Sequence, residues 1–139
     1  TSLKIEELRR IPKGTSSILA TSNHSADSTF QAIKSILFQR GHRIQNVDKK
    51  MRYISTEGHE IGYSTLQRMT INVNKQANGC SVDIRTEWKP GAEAPGAAES
   101  SAQENEWRKA YWKSGRPNIA LAESYAICKK IKPNNITFK

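Results

Sequence analysis

The stretch RMTINVNKQANGCSVDIRTEW, residues 68–88, decides the fold of this chain. Polar and apolar residues alternate on both sides of Asn78-Gly79, and an Asn-Gly pair between two such runs is the strongest short-range signal for a β-hairpin. A two-residue turn at this pair would place Met69 opposite Trp88. The stretch therefore predicts a long antiparallel hairpin.

The two faces of this predicted hairpin differ in polarity. One face receives mainly apolar residues, together with Lys75; the others on this face are Met69, Ile71, Val73, Ala77, Cys80, Val82, Ile84, Thr86 and Trp88. The other face receives polar and charged residues such as Asn72, Asp83 and Arg85. An antiparallel sheet of this kind is covered on its apolar face and open to solvent on the other.

A helix is predicted over about residues 26–40, because both of its ends carry a signal. Ser25 is a good N-cap residue, Asp27 suits the positive first turn, and Gly41 can adopt the left-handed C-cap conformation. The apolar residues of this segment recur at helical spacing, as Ala26, Phe30, Ile33, Ile36 and Leu37.

A last helix is predicted to begin at Pro117, since proline is favoured in the first turn, and to end before Pro133. Its apolar stripe consists of Leu121, Tyr125, Cys128 and Ile131. Each of the two predicted helices is amphipathic on one side. Together they could cover the one apolar face of the sheet.

Three further strands are expected from β-branched, turn-bounded runs. Residues 16–23 form the first, and residues 42–47 and 51–57 form a hairpin around Asp48-Lys49-Lys50 with Ile44 opposite Ile54.

The Ala-, Gly-, Pro- and Glu-rich residues 89–105 are expected to form a mobile loop. Residues 104–115 are expected to form a short helix.

The resulting order is β-α-β-β-β-β-α, with about five strands in one curved antiparallel sheet packed on two helices. This arrangement is an α+β two-layer sandwich. A length of 139 residues suits a single domain over residues 1–139. No apolar run reaches the roughly 20 residues that span a bilayer, so no transmembrane segment is expected.

The net charge of +9 suits an anionic partner, such as an acidic protein face, an anionic lipid or a nucleic acid. The basic residues considered for such a surface bracket the first hairpin or lie on the polar face of the second. They are Arg43, Lys49, Lys50, Arg52, Arg68 and Arg85, with Lys34 and Arg40 nearby in sequence. Tyr53 is the aromatic residue expected on the same surface.

Trp107, Tyr111 and Trp112 form a second candidate interaction site. On a helix, Trp107 and Tyr111 would share a face. They could cover the open edge of the core, or they could form an exposed aromatic anchor for a partner, since Trp and Tyr are enriched at interface hot spots.

Catalytic, metal and cofactor sites are not expected. His24, His42 and His59 lie on separate predicted elements at no ligand spacing, and no catalytic motif is present. Cys80 and Cys128 both fall on predicted inward faces, so they could form a disulfide in an oxidising compartment or remain two buried thiols in a reducing one.

The run STFQAIKSILFQRGHRIQNVDKKMRYISTE, residues 28–57, resembles a pattern of small bacterial envelope lipoproteins. That pattern is an amphipathic helix, a glycine, a strand, an aspartate-bearing turn and a second strand. The residues that match it are Phe30, Ile33, Leu37, Gly41, His42, Ile44, Asp48, Ile54, Ser55 and Thr56. The resemblance is to the helix-grip domains of the C-subunit lipoprotein of the outer-membrane β-barrel assembly machinery.

This resemblance implies a non-catalytic scaffold or assembly module that binds an envelope protein partner, in the periplasm or associated with the outer membrane. Two other functions stay open on the residues alone. One is a nucleic-acid-binding module that uses the basic hairpin and the polar sheet face to bind RNA. The other is a small-ligand carrier with a pocket between the long helix and the sheet.

Overall fold

The computed structural model describes residues 3–91 and 106–139. Within these two ranges the chain forms three helices and eight strands. They are α1 (Ile5–Leu8), β1 (Ser17–Ser22), α2 (Ala26–Gln39), β2 (Ile44–Asp48), β3 (Tyr53–Thr56), β4 (His59–Glu60), β5 (Thr65–Gln76), β6 (Gly79–Pro90), β7 (Arg108–Lys109), α3 (Arg116–Lys130) and β8 (Asn135–Phe138).

The strands form one open antiparallel sheet in the order β2-β3-β5-β6-β1-β8. The short strand β4 pairs with the start of β5, and β7 pairs with the end of β6. The predicted α+β class and antiparallel sheet are therefore confirmed. Because the prediction of a single domain covers residues 1–139, it includes residues outside the described ranges and stays a prediction.

The inner face of the sheet is buried together with the apolar sides of α2 and α3. Met69, Ile71, Val73 and Ile84 all lie in this core, in agreement with the predicted face. The other buried apolar side chains of the same cluster are Ile11, Ile18, Ala20, Ala26, Phe30, Ile33, Leu37, Ile54, Cys80, Val82, Tyr125, Ile127, Cys128 and Ile131.

The predicted count of about five strands is too low, because three short strands were not recognised. β4 and β7 have two residues each, and β8 has four. Such segments are too short to show an alternating pattern. β7 lies inside the predicted helix of residues 104–115, which is wrong: backbone hydrogen bonds join Ala110 to Thr86 and Trp112 to Thr15 instead.

The turn of the long hairpin lies one residue earlier in the chain than predicted, so the register of its two strands differs from the prediction. The turn consists of Ala77-Asn78, and Gln76 pairs with Gly79. Met69 therefore lies opposite Thr86, not Trp88. Because every pairing moves by two residues on β6, the same side chains still point inward.

Gly79 explains why the turn does not lie at Asn78-Gly79. Its φ of +143° is a conformation that residues with a side chain rarely adopt, and a Cβ there would collide with the Ser22 carbonyl oxygen. Gly79 is thus the first residue of β6, where the backbone of β1 passes very close. The glycine serves this close approach.

The first hairpin also has a different register. β2 and β3 are joined by residues 49–52, and Val47 lies opposite Ile54 while Ile44 lies opposite Thr56. The predicted pairing of Ile44 with Ile54 is therefore wrong. A shift in register between Ile44 and Asn46 marks a β-bulge, which a sequence pattern of five residues does not reveal.

The two long helices begin and end close to their predicted limits. The Ser25 side chain accepts a hydrogen bond from the Ser28 backbone N–H, and Gly41 has a φ of +85° just after α2. In α3, the nine consecutive residues Ala120–Cys128 are all buried. The middle of this helix is therefore buried all round, where the sequence predicted a single apolar stripe, whereas its first four residues are half-buried and Lys129 and Lys130 are exposed.

The disulfide between Cys80 and Cys128 is not formed, and both thiols are buried and free. The Cys80 thiol donates a hydrogen bond to the Thr29 hydroxyl at 3.3 Å, so it is directed toward α2. Burial, with a smaller effect of Asp83, raises the pKa of Cys128 to about 12. Both cysteines are thus small buried residues of the core.

Lys89 and Pro90, the first two residues of the predicted loop of residues 89–105, belong to β6 instead. The Gly91 backbone N–H then donates to the Ser64 carbonyl oxygen at 2.7 Å. Residues 92–105 of the predicted loop lie outside the described residues.

Replacing Gly79 with alanine tests the close approach of β1 and β6. Gly79→Ala is expected to lower the free energy of unfolding by about 3 kcal/mol, because it combines an unfavourable φ with a backbone collision. Urea unfolding measures this change. Gly14→Ala is the control, since Gly14 has a φ of +91° but a Cβ there has no neighbour within 4 Å. Equal losses for both variants would contradict the close approach.

Candidate functional site

The outer face of the sheet carries polar and charged side chains from β5 and β6. We define it by the outward-pointing residues Arg68, Thr70, Asn72, Asp83, Arg85, Glu87 and Lys89. These side chains are exposed or half-buried. In the described part of the chain, α2 and α3 both pack on the opposite face, so no described helix covers this one.

Trp107 lies over the end of the outer face. The Arg68 guanidinium lies 4.4 Å from the centroid of the Trp107 ring, and the Lys89 ammonium lies 5.0 Å from it. A Cβ at Gly58 would lie 2.8 Å from the same ring, so the ring edge contacts this backbone. Both cations are attracted to the ring quadrupole, which holds the half-buried indole on the sheet.

β7 continues this arrangement along the sheet. Lys109 lies opposite Glu87 in the ladder, and its ammonium lies 5.4 Å from the Tyr111 ring. Arg108 lies opposite Trp88, on the other side of the sheet, with its guanidinium 5.5 Å from the indole ring. We call Arg68, Lys89, Trp107, Lys109 and Tyr111 the aromatic–cation cluster.

A polar concavity of about 540 Å³ lies next to this cluster. It is lined by Ser16, Ser17, Thr70, Arg85, Thr86, Glu87 and Lys109. Two cations and three exposed or half-buried hydroxyl groups thus surround one space, together with the Glu87 carboxylate. Glu87 accepts a hydrogen bond from Arg68 at 2.8 Å, which offsets its charge.

The structure separates the predicted basic surface into three places. Arg68 and Arg85 lie on the outer face, and Tyr53 pairs with Asn72 on that face as well. Arg43, Lys49 and Lys50 are exposed near the edge strand β2. Lys34, Arg40 and Arg52 belong to the helix side, where they contact Phe30, Glu123 and Asp27 respectively.

The three predicted aromatic residues are also separated. Trp107 lies on the outer face and Tyr111 is exposed near it, whereas Trp112 is half-buried against the core. The helix expected to carry them is absent, as described above. A period of two in WRKAY, which places Trp107, Lys109 and Tyr111 on one side, is the signal that could have found this strand.

A buried ionic cluster on the helix side was not predicted. The Glu123 carboxylate accepts hydrogen bonds from Arg40 at 2.6 and 2.8 Å and lies 2.8 Å from His42 Nε2. Burial by itself would raise the pKa of Glu123, but the hydrogen bonds from Arg40 and His42 outweigh it and lower the pKa to about 2. Glu123 is the lone acidic residue in the apolar run of α3. An isolated acid in such a run is the sequence feature that could have indicated a buried ion pair.

His59 completes this ionic cluster. Its ring lies against His42 with a centroid distance of 4.7 Å and an interplanar angle of 64°. Desolvation, and then the nearby His42, lower the pKa of His59. The His42 side chain has no exposed surface and its Nδ1 has no hydrogen-bond partner. No substrate can reach that nitrogen in this arrangement.

A separate apolar groove of about 360 Å³ lies between α1, α3 and the segment after β4. Its lining residues are Leu8, Ile61, Tyr63, Trp112, Asn118, Ile119, Ala122 and Glu123. The backbone at Tyr63 and Ser64 has φ values of +50° and +52°, which is unusual for residues with side chains. This turn holds the exposed Tyr63 ring at the rim of the groove.

Within residues 3–91 and 106–139, no group of three or more His, Cys, Asp or Glu side chains is arranged to hold a metal ion. No helix of these residues is long and apolar enough to cross a bilayer.

No family model and no curated protein matches this chain. A DUF4468 family protein from Bacteroides ovatus ATCC 8483, known from a crystal structure, shares 17% identity with it and a TM-score of 0.36. The match covers 72% of this chain and 64% of the length of that protein. A likeness this distant informs neither the fold nor the function. The resemblance to envelope lipoproteins stays a prediction.

The Glu123 cluster predicts a loss of stability in acid. Because the pKa of Glu123 is lower in the folded protein than its ordinary 4.5, its contribution is present above pH 4.5 and lost as the pH falls toward 2. The lowered pKa of His59 acts in the same direction below its ordinary value of 6.5. Between pH 5 and pH 2, Glu123 alone should cost roughly 3 kcal/mol of unfolding free energy.

Chemical denaturation as a function of pH measures this loss, with Glu123→Gln as the test and Glu57→Gln as the control. Glu57 is exposed, and its carboxylate makes no hydrogen bond or ion pair with Glu123, Arg40, His42 or His59. Glu123→Gln should be less stable at pH 7, because Arg40 loses its buried counter-ion, and its stability should change less between pH 5 and pH 2. Parallel pH profiles for the wild type and Glu123→Gln would contradict this interpretation.

Proposed function

We propose that this protein is a non-catalytic binding module that holds an acidic segment of a partner protein on the outer face of its sheet. The observation that carries this proposal is the aromatic–cation cluster beside an uncovered polar sheet face. Four cations, Arg68, Arg85, Lys89 and Lys109, gather there around two carboxylates. The local excess of positive charge favours an anionic partner.

A protein segment suits this surface better than a nucleic acid does. Base stacking needs an aromatic face that is free for a base. Arg68 and Lys89 both lie within 5.0 Å of the centroid of Trp107, so this ring is already engaged by cations.

The environment of the buried acid supports the absence of catalysis. A general acid or base at neutral pH needs a pKa near the working pH and access to a substrate. Glu123, with a pKa of about 2, stays ionised and paired with Arg40, and His42 is fully enclosed. A setting in the periplasm or at the outer membrane stays a prediction that rests on the resemblance alone.

Charge reversal on the outer face tests this proposal. A fluorescein-labelled glutamate-rich peptide should bind the wild type, and the double variant Arg85→Glu, Lys109→Glu should weaken binding about tenfold or more, because two attractive charges become repulsive. Fluorescence polarisation at low and physiological salt measures both. Lys130→Glu is the control, since Lys130 is exposed at the end of α3, on the helix side.

Two results would contradict the proposal. The first is peptide binding that is unchanged by the double variant or absent in the wild type. The second is tighter binding of a labelled single-stranded RNA than of the peptide, with a steep loss as salt rises, because this would indicate a nucleic-acid-binding module.

The apolar groove supports a second candidate function, the carriage of a small ligand. Its volume of about 360 Å³ and its mostly apolar lining are typical of small-molecule sites. Ala122→Leu should reduce the binding of an apolar dye such as anilinonaphthalene sulfonate, because it adds volume at the groove wall. The control is Ala32→Leu on the exposed side of α2. Equal dye binding by both variants would exclude this groove as the dye site.

A further inference from the structure

We infer that the polar concavity between β1, β5, β6 and β7 binds a phosphate monoester group, carried by a phosphorylated serine or threonine of the acidic partner segment. This inference rests on the proposed function and names the chemical group that the outer face selects. The concavity is the space of about 540 Å³ lined by Ser17, Thr70, Arg85 and Lys109 among others.

Three of the four hydroxyl groups around the concavity have no hydrogen-bond partner among the described residues, whereas the fourth, that of Thr86, lies 2.6 Å from the Ser124 hydroxyl. Ser16, Ser17 and Thr70 line the space, and none of their side chains makes a hydrogen bond to another described residue. Each hydroxyl can donate one hydrogen bond. Three hydroxyl groups that the described residues leave without a partner therefore line the space where a ligand with several acceptor oxygens would lie.

The two cations of the concavity, Arg85 and Lys109, also lack a close charge-assisted hydrogen bond to a described residue. Arg85 is well exposed, and its Nε lies 3.5 Å from the Asp83 carboxylate, which is longer than an ordinary charge-assisted hydrogen bond. Lys109 contacts the Tyr111 ring, but its ammonium makes no hydrogen bond or ion pair with another described residue. Both side chains can therefore turn to an anion without losing a strong partner.

The one carboxylate in the concavity is already neutralised. Glu87 is paired with Arg68, whose Nε lies 2.8 Å from its carboxylate. With Arg68 paired to Glu87, the concavity keeps the charge of Lys109 and the part of the Arg85 charge that Asp83, 3.5 Å away, does not offset. A space with such an excess of positive charge attracts a doubly charged phosphate more than a singly charged carboxylate.

The number of donors points to the same group. A phosphate monoester presents three strong acceptor oxygens and carries a charge of about −1.5 to −2 at neutral pH. Three hydroxyls, a guanidinium and an ammonium supply at least five donors, more than a carboxylate can use in one geometry. The volume exceeds that of one phosphate, so it also admits the chain that carries the group.

The test compares three labelled peptides that are rich in glutamate and differ only at the central residue, which is phosphoserine, serine or glutamate. The phosphoserine peptide should bind the wild type at least tenfold more tightly than the serine peptide. Arg85→Gln and Lys109→Gln should each remove most of this preference. The control Lys130→Gln, with the same loss of charge on α3, should retain it.

A second variant tests the charge balance directly. Glu87→Gln removes the carboxylate from the concavity, so the phosphoserine peptide should bind about threefold more tightly, while the serine peptide should change less. Weaker binding of the phosphoserine peptide by this variant would count against the phosphate assignment.

The outcomes separate this inference from the proposed function. Equal binding of all three peptides would overturn the phosphate assignment and leave the acidic-segment module standing. Binding of none would overturn both. Inorganic phosphate is the last competitor to be tested. If it displaces the phosphoserine peptide at concentrations below the dissociation constant of that peptide, the site binds free phosphate. The inference that a partner protein carries the phosphate group would then be wrong.

Discussion

Alternate residues of β5 and β6 are buried against α2 and α3, and the rest of the structure depends on this one-sided burial. Each large apolar side chain in such a core contributes roughly 1.5–3 kcal/mol. A slip of one residue would expose Met69, Ile71 and Ile84 together, so the inward face is strongly fixed. Because side chains alternate along a strand, the same constraint places Arg68 and Arg85 on the open side.

The enclosure of α3 follows from this core and creates its own requirement. A helix whose middle residues are all buried must bury any acid among them, and Glu123 is that acid. An unpaired carboxylate there would be costly, whereas the guanidinium of Arg40 and the ring of His42 compensate it. The ionic cluster thereby joins the end of α2, the start of the first hairpin and the middle of α3.

The sequence was sufficient for features that depend on local periodicity. The alternation in residues 68–88 predicted the inward and outward faces, and the Ser25 cap and Gly41 predicted α2. It was insufficient where a tertiary contact decides the outcome. The backbone of β1 fixes the role of Gly79, and the edge of β6 turns WRKAY from an apparent helix into a strand.

The candidate site was predicted only in part, for the same reason. Arg68, Arg85 and Trp107 were recognised by residue type, but Lys109 was not, because a helical reading places it away from them. Charges close in sequence were separated by the fold: Arg40 is half-buried and paired with Glu123, while Arg43 is exposed three residues later. A net charge describes the whole chain and cannot assign its members to a surface.

Burial of the apolar face of the sheet thus determines what its outer face carries. The outer face presents cations, hydroxyl groups and the indole ring of Trp107. The most direct test of this account is to map backbone amide chemical-shift changes by NMR while a glutamate-rich peptide is added. The account predicts changes in residues 66–72, 83–89 and 107–111, with little change in α2. Changes confined to α3 and the apolar groove, or to the edge strand β2, would contradict it.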